Sequence, residues 1–112
     1  MRITFIGGGN MASALIGGLL QQKFPASKIH VVEINVETAE KINQQYGINA
    51  TTDLVTGVSD CEVIVLAIKP QQLHAVTKAL TSLLTNQLVI SIAAGIRTQA
   101  LSRWLGGYQY FV

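Results

Sequence analysis

Near the amino terminus, three glycines and an alanine stand at a spacing suited to holding an anion. Gly7-x-Gly9-x-x-Ala12 follows the apolar run Ile3-Thr4-Phe5-Ile6 and leads into Asn10-Met11-Ala12-Ser13-Ala14-Leu15-Ile16. In such a setting the first glycine permits a tight turn. The second lets backbone approach a pyrophosphate with no Cβ in the way, and the small third residue keeps the helix close to the strand. Gly8 lies inside the same turn, and the N–H groups around Asn10 and Met11 would face the anion with the positive end of a helix dipole behind them. The spacing alone is a weak signal, and the same residues could form a glycine-rich connection with no ligand. The position between a strand and a helix gives the signal its weight.

A second chemical group falls where such a turn needs one. Glu33 stands 24 residues after Gly9, behind the apolar stretch Ile29-His30-Val31-Val32. A carboxylate at that point accepts from the 2′-hydroxyl of an adenosine ribose and repels a 2′-phosphate. No arginine lies between Ile34 and Glu40 to hold such a phosphate, Lys41 is the nearest cation, and Asn35 offers a polar contact. The residues therefore lean towards NADH. The plainer reading of Glu33 is a solvated residue at a strand end.

The remaining reactive side chains suggest no catalytic or metal site. His30 and His74 have no carboxylate or cysteine at ligand spacing and read as surface or sheet-edge residues. Cys61 is the only cysteine, so no internal disulfide is possible, and its place ahead of an apolar strand favours burial over reactivity. Tyr46 and Trp104 fall at helical core positions and read as packing.

The elements that would position these groups alternate regularly. Strands are expected at 3–6, 29–32, 48–50, 63–67 and 88–92, with a sixth beginning at Tyr108. Helices are expected from Asn10 to Gln22, from Val36 to Tyr46 with Gly47 as its stop, and briefly to Val58 behind a cap at Thr51, Thr52 or Asp53. Two more are expected from Gln71 to Leu84 behind Pro70, and from Thr98 to Leu105. In the first helix Met11, Leu15 and Leu19 form the expected apolar face, with Ala12, Ile16 and Leu20 beside it. Gly17 and Gly18 make sense there only if that face is pressed against a neighbour. Strand–helix alternation with a wholly apolar fourth strand predicts an α/β, Rossmann-type, doubly wound sheet of about six mainly parallel strands with helices on both faces.

Composition narrows the classes further. The 112 residues suit one domain. Only 12% are charged, about half the usual share, against 49% hydrophobic, as expected for elements buried on both faces. The net charge of +2 is scattered, with no Lys/Arg stripe, which speaks against nucleic acid as a partner. The longest apolar run, Val63 to Ile68, is too short to span a bilayer, and the start has no signal-peptide pattern, so no membrane partner and a cytoplasmic location are expected. Tyr110-Phe111-Val112 ends the chain inside an apolar strand, which reads as an amino-terminal domain of something longer.

Three segments together resemble the amino-terminal domain of the 1-pyrroline-5-carboxylate reductases, which complete proline synthesis. They are Phe5-Ile6-Gly7-Gly8-Gly9-Asn10-Met11-Ala12, Leu66-Ala67-Ile68-Lys69-Pro70-Gln71 and Val89-Ile90-Ser91-Ile92-Ala93-Ala94-Gly95, and Tyr46-Gly47-Ile48 also fits. The first motif is common to many dehydrogenases, whereas the second and third at this spacing are far more specific. The physical reading fits these positions. Ala67, Ile68, Lys69 and Pro70 follow the fourth strand, and Ala93, Ala94 and Gly95 follow the fifth, where dinucleotides lie outside the strand ends. The small residues would let a nicotinamide ring rest against backbone. Lys69 could donate to ribose or phosphate, or could be an ordinary helix-start lysine.

The resemblance implies hydride transfer from NADH or NADPH to the ring C=N of 1-pyrroline-5-carboxylate, giving L-proline. It also implies a helical carboxyl-terminal domain that makes the enzyme a homo-oligomer and completes the substrate pocket. No catalytic residue is then expected within these 112 residues, and the fragment alone is expected to be inactive. Many members of the family use NADPH, and Glu33 departs from the small polar or basic residues that accommodate its phosphate. Two other readings compete: a free-standing dinucleotide-binding or sensing module without catalysis, and the same domain from a β-hydroxyacid-type dehydrogenase.

Overall fold

A computed structural model describes residues 1–92. Five strands form one parallel sheet: β1 (Ile3–Ile6), β2 (Ile29–Val32), β3 (Asn49–Thr51), β4 (Val63–Leu66) and β5 (Leu88–Ser91). Between them run α1 (Asn10–Gln21), α2 (Val36–Tyr46), α3 (Leu54–Val58) and α4 (Pro70–Leu80), with a short 3₁₀ turn at Ala26–Lys28 ahead of β2. The strand order is β3-β2-β1-β4-β5. The chain starts at the centre of the sheet, winds outward to β3, then returns to place β4 against the other side of β1. Ile3 thus pairs with Ile29 on one side and with Val63 on the other. The expected loop at Ala93–Gly95, the helix from Thr98 and the sixth strand lie outside the described residues.

Side chains alternate across each strand and build a core on each face. Ile3, Phe5, Ile29, Val31, Val63 and Val65 face α1 and α2, joined by Ala12, Ile16, Ile42 and Ile48. Ile6, Val32, Ile64, Leu66 and Val89 face α3 and α4, joined by Val58, Leu73 and Leu80. Each fully buried branched side chain contributes about 1.5–3 kcal/mol from its removal from water. Neither face of β1 or β4 is left to solvent, which accounts for the low charge content.

Local signals explain most element ends. Asn35 caps α2, its side chain accepting from the Thr38 N–H at 3.1 Å. Gly47 closes that helix in the left-handed region at φ 66°. Asp53 is the residue that caps α3, accepting from the Val55 N–H at 3.3 Å and from the Thr56 hydroxyl at 2.5 Å. Pro70 occupies the first turn of α4, as expected.

Four expectations need correction. In α1 the buried residues are Ala12 and Ile16, while Met11 and Leu15 are 58% and 42% exposed. Close approach to the sheet requires a small residue at the contact, so Ala12, not the larger Met11, sets the buried line. A Cβ at Gly17 would meet the Tyr46 hydroxyl at ordinary contact distance and one at Gly18 would meet nothing, so among the described residues neither glycine admits a close neighbour. Helix α4 stops at Leu80, four residues early. The N–H groups of both Leu83 and Leu84 turn back to the Leu80 carbonyl, and the Gln87 side chain reaches the Thr85 N–H (2.8 Å) and the Val58 carbonyl (3.0 Å). His30 is not at a sheet edge: β2 lies between β1 and β3.

Candidate dinucleotide site

The reversal of strand order puts the carboxyl ends of β1 and β4 side by side, and the glycine turn leaves from that place. Gly7 follows β1 with φ +102°, a conformation open to glycine and costly for any side chain. Its N–H donates to the Val32 carbonyl at 2.7 Å. A Cβ at Gly7 would lie 2.5 Å from the Ala67 carbonyl oxygen and 2.8 Å from Ile68 Cγ2. The turn is therefore wedged between β2 and the segment behind β4. A Cβ at Gly8 would collide with Ile42 Cδ1 of α2.

Gly9 is different. A Cβ there would meet nothing within 4 Å among the described residues. Gly9 is the N-cap of α1, no side chain caps that end, and no acidic residue stands in the first turn. Asn10, Met11 and Ala12 thus begin a 12-residue helix whose amino end is offered to an outside anion. Ala12, wholly buried, holds the helix on the sheet. The start of α1 is also tied to α2: the Tyr46 hydroxyl lies 2.6 Å from Ser13 Oγ and 3.1 Å from the Ser13 carbonyl.

Glu33 comes directly after β2 and touches the same turn. Its Oε1 accepts from the Gly8 N–H and its Oε2 from the Asn35 N–H, each at 2.9 Å. The carboxylate thus bridges the glycine turn to the loop that starts α2, and it stays partly accessible. Beside it opens a cavity of about 550 Å³, bounded by Gly7, Glu33, Ile34, Leu54, Ile68 and Gln71 among others. That size, with mostly apolar walls and one carboxylate at the rim, suits a nucleoside.

Most sequence-predicted residues converge here. Gly7, Gly8, Gly9, Glu33, Asn35, Ala67 and Ile68 all lie at the carboxyl ends of β1, β2 and β4, and Asn10, Met11 and Ala12 open α1. Lys69 is exposed at the N-cap of α4, whose first residue is Pro70. Ala93, Ala94 and Gly95 lie outside the described residues. The sequence reading missed Ile34, Thr52, Leu54, Gln71 and Gln72, which line the cavity. Their signal was position: each sits within three residues of a strand end or in the first turn of the helix that follows. The described residues hold no group of three or more His, Cys, Asp or Glu able to bind a metal, and no helix among them is long and apolar enough to cross a membrane. Cys61 is half-buried, and burial pushes its thiol pKa above the ordinary value.

Known proteins share this fold. Residues 2–95 match the family described as NADP oxidoreductase coenzyme F420-dependent. A pyrroline-5-carboxylate reductase of Pseudomonas aeruginosa is 44% identical over 106 residues, covering 94% of this chain and 39% of that protein. The solved pyrroline-5-carboxylate reductase of Coxiella burnetii superposes with a TM-score of 0.89 at 36% identity, over 94% of this chain and 40% of that one. The 1-pyrroline-5-carboxylate reductase of Streptococcus pyogenes gives 0.76 at 32%, over 93% and 38%. The chain spans about two fifths of the length of these relatives. With the wedged glycine turn, the open helix end and the strand order of a nicotinamide-dinucleotide oxidoreductase, this chain belongs to the NADP oxidoreductase coenzyme F420-dependent family and is similar to the pyrroline-5-carboxylate reductases its motifs resemble.

Proposed function

We propose that this chain is the cofactor-holding part of an enzyme that reduces 1-pyrroline-5-carboxylate to L-proline, and that it takes NADH in preference to NADPH. The observation that carries the cofactor reading is the contrast within one turn: Gly7 packed against Ala67 and Ile68, Gly9 open among the described residues over the uncapped start of α1. Packing demands the first glycine; nothing among the described residues demands the second, and an approaching ligand would. The 44% identity to a pyrroline-5-carboxylate reductase supports the choice of reaction.

In this reading the pyrophosphate lies over Gly9 against the amides of Asn10 and Met11, and the adenosine enters the cavity between Glu33, Ile34 and Ile68. Lys69 and Pro70 are assigned to the ribose, and Ala93, Ala94 and Gly95 to the nicotinamide on account of their small size. When bound, the reduced nicotinamide supplies a hydride to the ring carbon of the C=N bond. The chain's own part is to orient that ring. Substrate contacts, the proton for the ring nitrogen and homo-oligomer formation are assigned to the part of the relatives that this chain does not span. Glu33 supports NADH because a 2′-phosphate carrying about −1.5 to −2 charge would be brought against a carboxylate.

Titration calorimetry with NADH and NADPH is the direct test. NADH is expected to bind more tightly, by at least about tenfold, which corresponds to ~1.4 kcal/mol. No binding of either dinucleotide would sink the cofactor reading, and tighter NADPH binding would sink the preference. Steady-state conversion of 1-pyrroline-5-carboxylate to proline by these 112 residues alone would disprove the assignment of the substrate site elsewhere.

A further inference from the structure

Tyr46, the last residue of α2, does more than fill the space its helical position assigns to it. Its hydroxyl donates to the Ser13 carbonyl at 3.1 Å, which leaves the Ser13 hydroxyl to donate to the tyrosine oxygen across 2.6 Å. The Ser13 N–H in turn donates to the Gly9 carbonyl at 2.9 Å, so one residue joins the N-cap of α1 to the end of α2. The same face of α2 backs the glycine turn, because a Cβ at Gly8 would collide with Ile42 and touch Thr38. Thr38, Ile42 and Tyr46 stand at every fourth residue and so share one stripe of the helix. Little else holds the start of α1. Asn10 and Met11 are exposed, and no side chain caps the helix. The buried Ala12 and Ile16 lie along one line of α1 and set its distance from the sheet. Hydrogen bonds are directional, and the pair at Tyr46 fixes the rotation about that line.

We propose that Tyr46 is a positioning residue for the anion site: its paired hydrogen bonds with Ser13 set the rotation of α1, and with it the direction in which the Asn10 and Met11 amides point. The inference rests on the dinucleotide reading above and deepens it at the pyrophosphate end. Tyr46 acts through the backbone of α1, since an N–H turned away from its acceptor loses strength steeply. The nucleoside end of the cavity is built by other residues, among them Glu33, Ile34, Ile68 and Gln71. Loss of the tyrosine hydroxyl therefore weakens phosphate binding and leaves nucleoside binding alone. A tie that only held two helices together would change stability and treat both parts of the ligand alike.

The test is NMR titration of the chain with ADP and with adenosine, for the wild type, Tyr46→Phe, Ser13→Ala and the double variant. Urea unfolding checks that each is folded. The wild type is expected to bind ADP at least about tenfold more tightly than adenosine. In Tyr46→Phe the ADP affinity is expected to fall about fivefold while that for adenosine stays within about twofold. Ser13→Ala keeps the tyrosine's bond to the Ser13 carbonyl and is expected to show a smaller fall in the same direction. The double variant is expected to match Tyr46→Phe, because the two side chains act as one pair. An ADP-to-adenosine ratio unchanged in Tyr46→Phe, or losses that multiply in the double variant, would overturn the proposal and leave the dinucleotide reading standing. Should Tyr46→Phe fail to fold, the ratio in Ser13→Ala decides in its place. If the folded wild type binds ADP no more tightly than adenosine, the phosphate reading of the turn fails, and this inference with it.

Discussion

Replacing Gly7 and Gly9 one at a time by alanine separates what the turn does for the fold from what it does for a ligand. At Gly7 the backbone has φ +102°, where an L-residue is disfavoured by roughly 1–2 kcal/mol. The added Cβ would also stand 2.5 Å from the Ala67 carbonyl oxygen, a backbone atom held by the β1–β4 pairing, so relief requires moving a strand end. Overpacking of that kind costs about 1–3 kcal/mol. Alanine restricts the unfolded chain and returns roughly 0.4–1 kcal/mol. The net loss is on the order of 2–4 kcal/mol, a large share of the roughly 5–15 kcal/mol that holds a domain together. With a urea dependence of about 1–3 kcal/mol per molar, the unfolding midpoint falls by about 1–2 M. At Gly9 φ is −74° and the space is open among the described residues, so Gly9→Ala is expected to unfold within about 0.5 M of the wild type. Its NADH affinity, by contrast, is expected to fall at least about tenfold, the equivalent of ~1.4 kcal/mol, because the methyl group stands where the proposed reading brings the pyrophosphate. Urea unfolding followed by far-UV circular dichroism gives the first quantity and calorimetry the second. A Gly7→Ala chain as stable as the wild type, or a Gly9→Ala chain that binds NADH unchanged, would refute the division of labour.

Two further outcomes follow from buried groups away from the site. At Gly57 a Cβ would collide with Val32 Cγ2 and touch Thr4, whose buried hydroxyl donates to the Gly57 carbonyl at 2.6 Å. Gly57→Ala should therefore cost on the order of 1–3 kcal/mol, a fall in melting temperature of several degrees by calorimetry, and an unchanged melting temperature would count against this packing. His30 has its pKa lowered from 6.5 by burial, its Nε2 has no partner among the described residues, and it shares a small cavity with Arg2, Lys28 and Asp60. Below about pH 6.5 the unfolded chain binds a proton that the folded chain resists. The stability present above that pH is therefore lost as pH falls towards the depressed folded value. Urea unfolding at pH 5 to 8 should show this slope, and His30→Gln should flatten it.

The sheet was legible because its strands carry their own punctuation. A wholly apolar run such as Val63–Leu66, stopped by Lys69-Pro70, can be little else than a buried parallel strand followed by a helix. Strand ends moved by only a residue or two: β3 starts at Asn49 instead of Ile48, and Ile48 is buried beside it. The buried face of α1 was less legible, because two apolar lines run side by side on that helix. Met11–Leu15 and Ala12–Ile16 have the same period. The glycine motif itself held the answer, since its third position calls for a small residue against the strand, and that residue is Ala12. Periodicity could not show the early end of α4 either. There the helix yields to a tertiary contact, the Gln87 amide reaching across to the Val58 carbonyl of α3.

The candidate site was legible as positions and not as partners. Glu33 was placed by its distance from Gly9 and read as an acceptor waiting for a ribose. In the folded chain both its oxygens already accept, from Gly8 and Asn35. No spacing rule gives that, because it depends on α2 being capped so that the Asn35 N–H points back at the turn. The consequence is physical. Gly7 lies against the segment behind β4 and Gly8 against Ile42 of α2, while Glu33 accepts from the Gly8 N–H, so the packed part of the turn and the carboxylate at the cavity rim are joined by one hydrogen bond. Gly9 alone is left free of the described residues, and the free amides begin one residue later. Under the proposed dinucleotide reading, such a turn takes the pyrophosphate over Gly9 and sets Glu33 beside the ribose.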